Sequence, residues 1–169
     1  MLWQENQLKK KSIYQLAREE KNYSREKASE VLVGIPPERI ERIESGTFLI
    51  RPDEVLEMSE KYDKPDLCNY YCANECPIGQ KYVPEIKVKD ISQIVLEMLS
   101  SLNAINEKKN NLIDIIVDGV ISDNEIEEFI KIQIQLERIN ITVETLQLWV
   151  EKMLSSGKNN REKYEKLKR

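Results

Sequence analysis

Between Asn124 and Ser155 the apolar residues Phe129, Ile132, Leu136, Ile139, Val143, Leu146, Val150 and Met153 recur at alternating steps of three and four. That rhythm is a heptad seam, and it predicts one long helix. A similar spacing links Ile91, Val95, Met98, Leu102, Ile105, Leu112 and Ile116, interrupted by the polar run "NEKKNN". Each stretch is long enough for a helix of about 45 Å. Between them "DGVISDNE" offers a capping box in Ser122 and Glu125. Residues 88–156 are therefore expected to fold as an antiparallel helical hairpin. Ile126, Ile130, Ile134, Ile141, Leu148 and Trp149 lie off the main seam. This surplus predicts self-association of two hairpins into a four-helix bundle, with Phe129, Leu136, Val143, Trp149 and Val150 as dimerisation residues. The alternative is that the spare stripe packs on the N-terminal half.

The first 66 residues show shorter amphipathic segments. Ile13, Leu16 and Ala17 share a face between Lys11 and Lys21, and Ser24 is a natural N-cap for "REKASEVL". Gly34 supplies a turn. Pro36 and Pro37 fit only the first turn of a third helix, which turns Ile40 and Ile43 inward and stops at Gly46. "RPDEVLEMSEKY" begins a fourth, with Pro52 in its first turn and Val55, Leu56 and Met58 to Tyr62 on its inner face. Then come a compact stretch, "PDLCNYYCANECPIG", an extended linker, "QKYVPEIKVKD", and a basic frayed tail over residues 157–169. The fold class expected is all-α: a small N-terminal domain over residues 1–66, a cysteine-containing connector over 67–87, the hairpin and the tail.

Composition narrows the chemistry. The chain of 169 residues contains only 5 glycines and 6 prolines, which favours helices over turn-rich β folds. It contains no histidine, so Ser-His and Cys-His nucleophile pairs are excluded and the commonest general base is missing. No Gly-rich phosphate loop is present, and an enzyme is not expected. A formal net charge of -4 means that any nucleic-acid binding must come from local charge placement. Apolar runs fall short of a membrane span and the N-terminus lacks signal-peptide order, so a cytoplasmic protein without a membrane partner is expected.

The segments "YQLAREEKNYSREKASEVL", "GIPPERIERIESG" and "RPDEVLEMSEKY" resemble the Cro/repressor-like, or XRE, family of helix-turn-helix transcriptional regulators. The cysteine segment and helical tail are similar to those of a Firmicutes-type group within it. The resemblance implies a third helix that enters the major groove and a second that crosses the phosphates. Carried over by position, Arg25 and Lys27 would lie near phosphate, Glu38, Arg39, Glu41 and Arg42 would face the groove, and Thr47 and Arg51 would lie near the backbone beyond the helix. Arg39 would read guanine, and Glu accepts from cytosine N4. The sequence departs from the family in three places: an extra turn residue at Val33, Ser29 where the family has Ala, and Pro36-Pro37 at the start of the recognition helix. Glu38, Glu41 and Glu44 also carry DNA's own sign of charge, against an affinity dominated by phosphate contacts.

Cys68, Cys72 and Cys76 recur every fourth residue, so a helix would line up all three thiols. Such neighbours are about 6 Å apart, wider than the roughly 4 Å between zinc-bound sulfurs. No fourth ligand is evident. Buried structural thiols beside Tyr70 and Tyr71 are the expected state and no cofactor is expected, with zinc or an iron–sulfur cluster, or a redox switch, as the alternatives. "DIIVDGVISDNE" imitates a calcium loop at Asp114, Asp118, Gly119, Ile121, Ser122 and Glu125, but Ile116 stands where a carboxylate belongs. A plain turn, with Gly119 ending one helix and Ser122 starting the next, explains the same residues. The expected function is a dimeric, sequence-specific DNA-binding regulator. The alternative is a helix-turn-helix fold reused as a protein-interaction adaptor.

Overall fold

The structure is a computed structural model, and it describes residues 11–116, 120–157 and 161–168. The chain is all-α, in two units that meet in sequence between Val83 and Pro84. The first unit contains α1 (Ile13–Glu20), α2 (Arg25–Val31), α3 (Pro37–Glu44), α4 (Pro52–Lys61), α5 (Asp66–Asn74) and the short α6 (Gly79–Tyr82). The second contains α7 (Ile91–Glu107), α8 (Lys109–Ile116), α9 (Ile126–Ser155) and α10 (Arg161–Lys168).

Local chemistry sets the helix ends in the first unit. Ser12 and Ser24 cap α1 and α2 by accepting the N–H groups of Gln15 and Lys27 at 3.2 and 3.1 Å. Pro36 caps α3 without a side-chain bond and Pro37 opens it, where a missing N–H costs nothing. After α3, Gly46 takes φ +69°, the left-handed conformation that lets the chain reverse. The α2–α3 turn uses Gly34 at φ +75° in the same way. Tyr14, Ala17, Ala28, Leu32, Ile35, Ile40, Ile43, Ile50, Val55, Met58, Tyr62 and Leu67 form one buried core. Ala28, not Ser29, is the wholly buried small residue of α2. On α4 the expected inner face loses Leu56, Glu60 and Lys61, which stay exposed, while Ser59 is buried.

The cysteine stretch, expected as a connector, belongs to this first unit. Leu67 of α5 enters the core, and the Tyr70 ring meets Tyr14 edge-on at 6.3 Å. Extended chain begins only after α6, so Gln80 to Tyr82 are helical where a linker was expected.

In the second unit α7 and α9 pack along one another. Lys108, just past α7, pairs with Glu128 in the first turn of α9 at 2.7 Å, as an antiparallel pair requires. The "NEKKNN" break falls at Lys108, between α7 and α8. Glu125 accepts the Ser122 N–H at 2.9 Å, half of the expected capping box, and α9 starts one residue later. Asp118 and Gly119, on which the calcium-loop and turn readings drew, lie outside the described residues.

The seam is rotated from the expected one. On α7 the buried residues are Ile94 and Ser101, whereas Val95 and Leu102 are exposed. On α9 they are Ile132, Thr142, Thr145 and Leu148, whereas Leu136 and Val143 are exposed. Burying threonine in place of leucine works because each hydroxyl bonds its own helix. Thr142 donates to the carbonyls of Arg138 and Ile139, and Thr145 to that of Ile141 at 2.6 Å. The tail also differs from expectation: α10 is helical, with Glu162 in its first turn, Lys166 and Lys168 in its last, and Lys168 over the Tyr164 ring.

Candidate nucleic-acid interface

α2, the Gly34 turn and α3 present the face that the sequence singled out. Ile40 and Ile43 point into the core, so the helical period turns Glu38, Glu41 and Arg42 outward, and all three are exposed. Two ion-pair clusters fix the helix from either end.

The first clamp is centred on Glu44, which is buried at the end of α3. Arg18 of α1 grips it with two bonds, Nε to Oε1 at 2.5 Å and Nη2 to Oε2 at 3.0 Å, and spends Nη1 on the Tyr23 carbonyl. Arg25 of α2 adds Nε to Oε2 at 3.0 Å. One carboxylate thus ties α1, α2 and α3 together with charge-assisted bonds. The bond to Glu44 also raises the Arg18 guanidinium's affinity for its proton, against the cost of burial. Glu44 was expected among the acids facing DNA; it faces inward instead. The sequence signal was present in Arg18, which falls on the apolar face of α1 beside Tyr14 and Ala17.

The second clamp fixes the other end of α3. Arg39 donates from Nε and Nη2 to the two carboxylate oxygens of Glu54 in α4, at 2.8 and 2.6 Å, and from Nη2 to the Leu49 carbonyl at 2.9 Å. Its guanidinium carbon lies 4.5 Å from the Phe48 ring centroid. Glu54 is buried and also accepts the Arg51 N–H at 2.8 Å. Burial pushes the Glu54 carboxyl up, but Arg39 and the Arg51 N–H outweigh it and hold it below the usual carboxylate range. Arg39, expected to read guanine, is therefore part of the fold's own ion-pair structure.

Most of the remaining expected contacts are engaged as well. Arg25 reaches Glu41 at 3.3 Å, Lys27 pairs with Glu30 at 2.7 Å, and Arg51 lies 3.3 Å from Asp53. The Thr47 hydroxyl bonds the Arg42 carbonyl at 3.2 Å and closes the turn after α3. Among the described residues, Arg42 and Glu38 make no ion pair. The face is thus a charge-compensated surface, with the exposed side chains of Val33, Phe48 and Leu49 in the turns before and after α3.

The three cysteines are free and half-buried. Burial raises the Cys72 thiol's pKa, with Cys76 and Cys68 adding to the effect. Among the described residues no three cysteine or carboxylate side chains converge as a metal site would require. Nor is any described helix long and apolar enough to cross a membrane. No family model, curated protein or solved structure matches the chain.

Proposed function

We propose that the first unit is a helix-turn-helix DNA-binding domain of the XRE type and that the chain acts as a dimeric transcriptional regulator. The observation that supports this most is the placement of α3: its apolar side is buried, its outer side is exposed, and the Glu44 and Arg39–Glu54 clamps hold it rigid at both ends. A rigid exposed helix is what base reading in the major groove needs. In this reading Arg42 takes the base-reading role expected of Arg39, because it is the arginine on the outer face of α3 with no competing ion pair among the described residues. The exposed Ile126, Ile130, Ile134, Leu136, Ile141 and Val143 of α9, with Val95, Leu99 and Leu102 of α7, supply the surface by which two chains would join, and a dimer sums two weak half-sites. Phe129, Trp149 and Val150, the other expected dimer contacts, are half-buried in the unit and contribute less to it.

A second reading has its own support. Arg25, Lys27, Arg39 and Arg51 each face a carboxylate, so little positive charge is left for phosphate. An adaptor that docks a protein through Phe48, Leu49 and Val33 would need no such charge. Fluorescence anisotropy with the chain's own upstream promoter DNA and a scrambled duplex separates the two. Promoter-selective binding at physiological salt, weakened about tenfold or more by Arg42→Ala, is the expected result. Absence of selectivity at both low and physiological salt, with zinc or iron added, would leave the adaptor.

A further inference from the structure

We propose that Cys72 and Cys76 form a disulfide by exchange with a low-molecular-weight disulfide, with Cys76 as the attacking sulfur and Cys72 as the resolving one. The inference stands apart from DNA binding and rests on the junction of α5 and α6.

Of the three thiols, two are locked in a regular helix and one is not. Cys68 and Cys72 both lie within α5, where residues four apart keep their Cβ atoms about 5–6 Å apart. A disulfide needs about 3.8 Å, so that pair cannot close without unwinding α5. Cys76 follows Glu75, whose φ of -120° has left helical values. Its N–H nevertheless reaches back to the Tyr71 carbonyl at 3.0 Å, which keeps it against the last turn of α5. The chain then folds over that turn. Gly79 donates its N–H to Cys76 Sγ at 3.5 Å, and it packs so closely on Cys72 that an added Cβ would fall 2.0 Å from the Cys72 carbonyl oxygen. The Cys76 sulfur and the Cys72 backbone thus meet the same residue.

The two sulfurs differ in the way a relay needs. Cys76 lies beyond the regular turns of α5, where its backbone can yield to an incoming disulfide, and the Gly79 N–H points at its sulfur. Cys72 is kept protonated by burial and by its two thiol neighbours, which suits it to the second step. In the first step the Cys76 thiolate attacks one sulfur of the external disulfide, whose S–S bond breaks, and one small thiol leaves. In the second, Cys72 gives up its proton to water and attacks Cys76 Sγ, expelling the other small thiol. Two cysteine hydrogens and one external S–S bond become one internal S–S bond and two small thiols.

The test uses the full-length native protein and oxidised glutathione, followed by N-ethylmaleimide and intact-mass analysis with peptide mapping. The expected product has lost two hydrogens and carries a single maleimide, on Cys68. Cys72→Ser should stop at a glutathione adduct on Cys76, Cys76→Ser should form no internal disulfide, and Cys68→Ser should behave as wild type. Peptide mapping of the wild type alone locates the bond, so a variant that fails to fold does not blunt the test. Three maleimides on wild type, a persistent glutathione adduct there, or a bond that includes Cys68 would each overturn the proposal. So would equal rates in native and urea-unfolded protein, since the junction would then contribute nothing.

Discussion

The two units solve the same problem, burying the apolar sides of amphipathic helices, with opposite success. The first wraps a single core from five helices and closes it with the buried Arg18–Glu44 pair and the part-buried Arg39–Glu54 pair. The second is two layers thick. Among its described residues it buries Ile94, Ile115, Ile132 and Leu148, while nine aliphatic side chains of α7 and α9 singled out above remain exposed. Two helices can cover only one stripe of each other, whereas helices around a centre cover several. The first unit thus buries its own apolar faces, whereas a broad apolar stripe of α7 and α9 stays exposed.

The sharpest way to break this contrast is to strike a clamp in the first unit. Arg18→Ala strips the buried Glu44 of two of its three arginine bonds and leaves only the half-exposed Arg25, and loss of one partner of a buried pair costs about 3–5 kcal/mol. Urea unfolding should show a large fall in the midpoint with the α7–α9 unit unaffected. Arg39→Ala should also destabilise, though by less, because Arg51 remains beside Glu54. Were Arg39 only a DNA contact, its loss would leave stability untouched.

Next in size is Gly79→Ala. Its Cβ would strike the Cys72 carbonyl, and overpacking of this kind costs about 1–3 kcal/mol. Gly46→Ala has open space and suffers only its left-handed φ, about 1 kcal/mol. Thermal melts of the two variants should rank in that order.

In the second unit, Leu136→Asp tests whether the exposed stripe is covered by another chain. On a lone hairpin it should change stability by no more than about 0.5 kcal/mol. In a dimer it should convert the species seen by light scattering to monomer and make stability independent of protein concentration. Ile132→Asp, aimed inward, should instead unfold the hairpin at any concentration.

The smallest effect concerns pH, where one buried and one half-buried carboxyl of the first unit act in opposite senses. Glu54 has a lowered pKa in the folded state, so its contribution is present above the ordinary glutamate range and is lost as pH falls through its folded value. Glu75 is raised by burial, partly offset by the neighbouring Tyr14 hydroxyl, so its contribution is present in acid and is lost as pH rises through its folded value. Glu75→Gln should therefore stabilise the first unit at neutral pH and do little in acid. Glu54→Gln should do the reverse in sign, destabilising it at neutral pH. Urea midpoints across pH 3 to 7, a window of about this width around the glutamate range, check both.

The sequence by itself determined the all-α class and the order of α1 to α4 with most of their ends. Those rest on caps, prolines and left-handed glycines, which act over a few neighbouring residues and can be read from Ser12, Ser24, Pro37, Gly34 and Gly46. It also placed Ile40 and Ile43 inward and Glu38, Glu41 and Arg42 outward, because a helix period is local. Only the tertiary structure decided which charges pair. Arg39 and Glu54 lie 15 positions apart and Arg18 and Glu44 lie 26 apart, so a local pattern can turn Arg18 inward but cannot name the partner of either arginine. It also decided the rotation of the α7–α9 seam onto Ser101, Thr142 and Thr145. A heptad pattern counts apolar residues, but packing rewards close approach, and small hydroxyl side chains that bond their own backbone allow that where leucine does not.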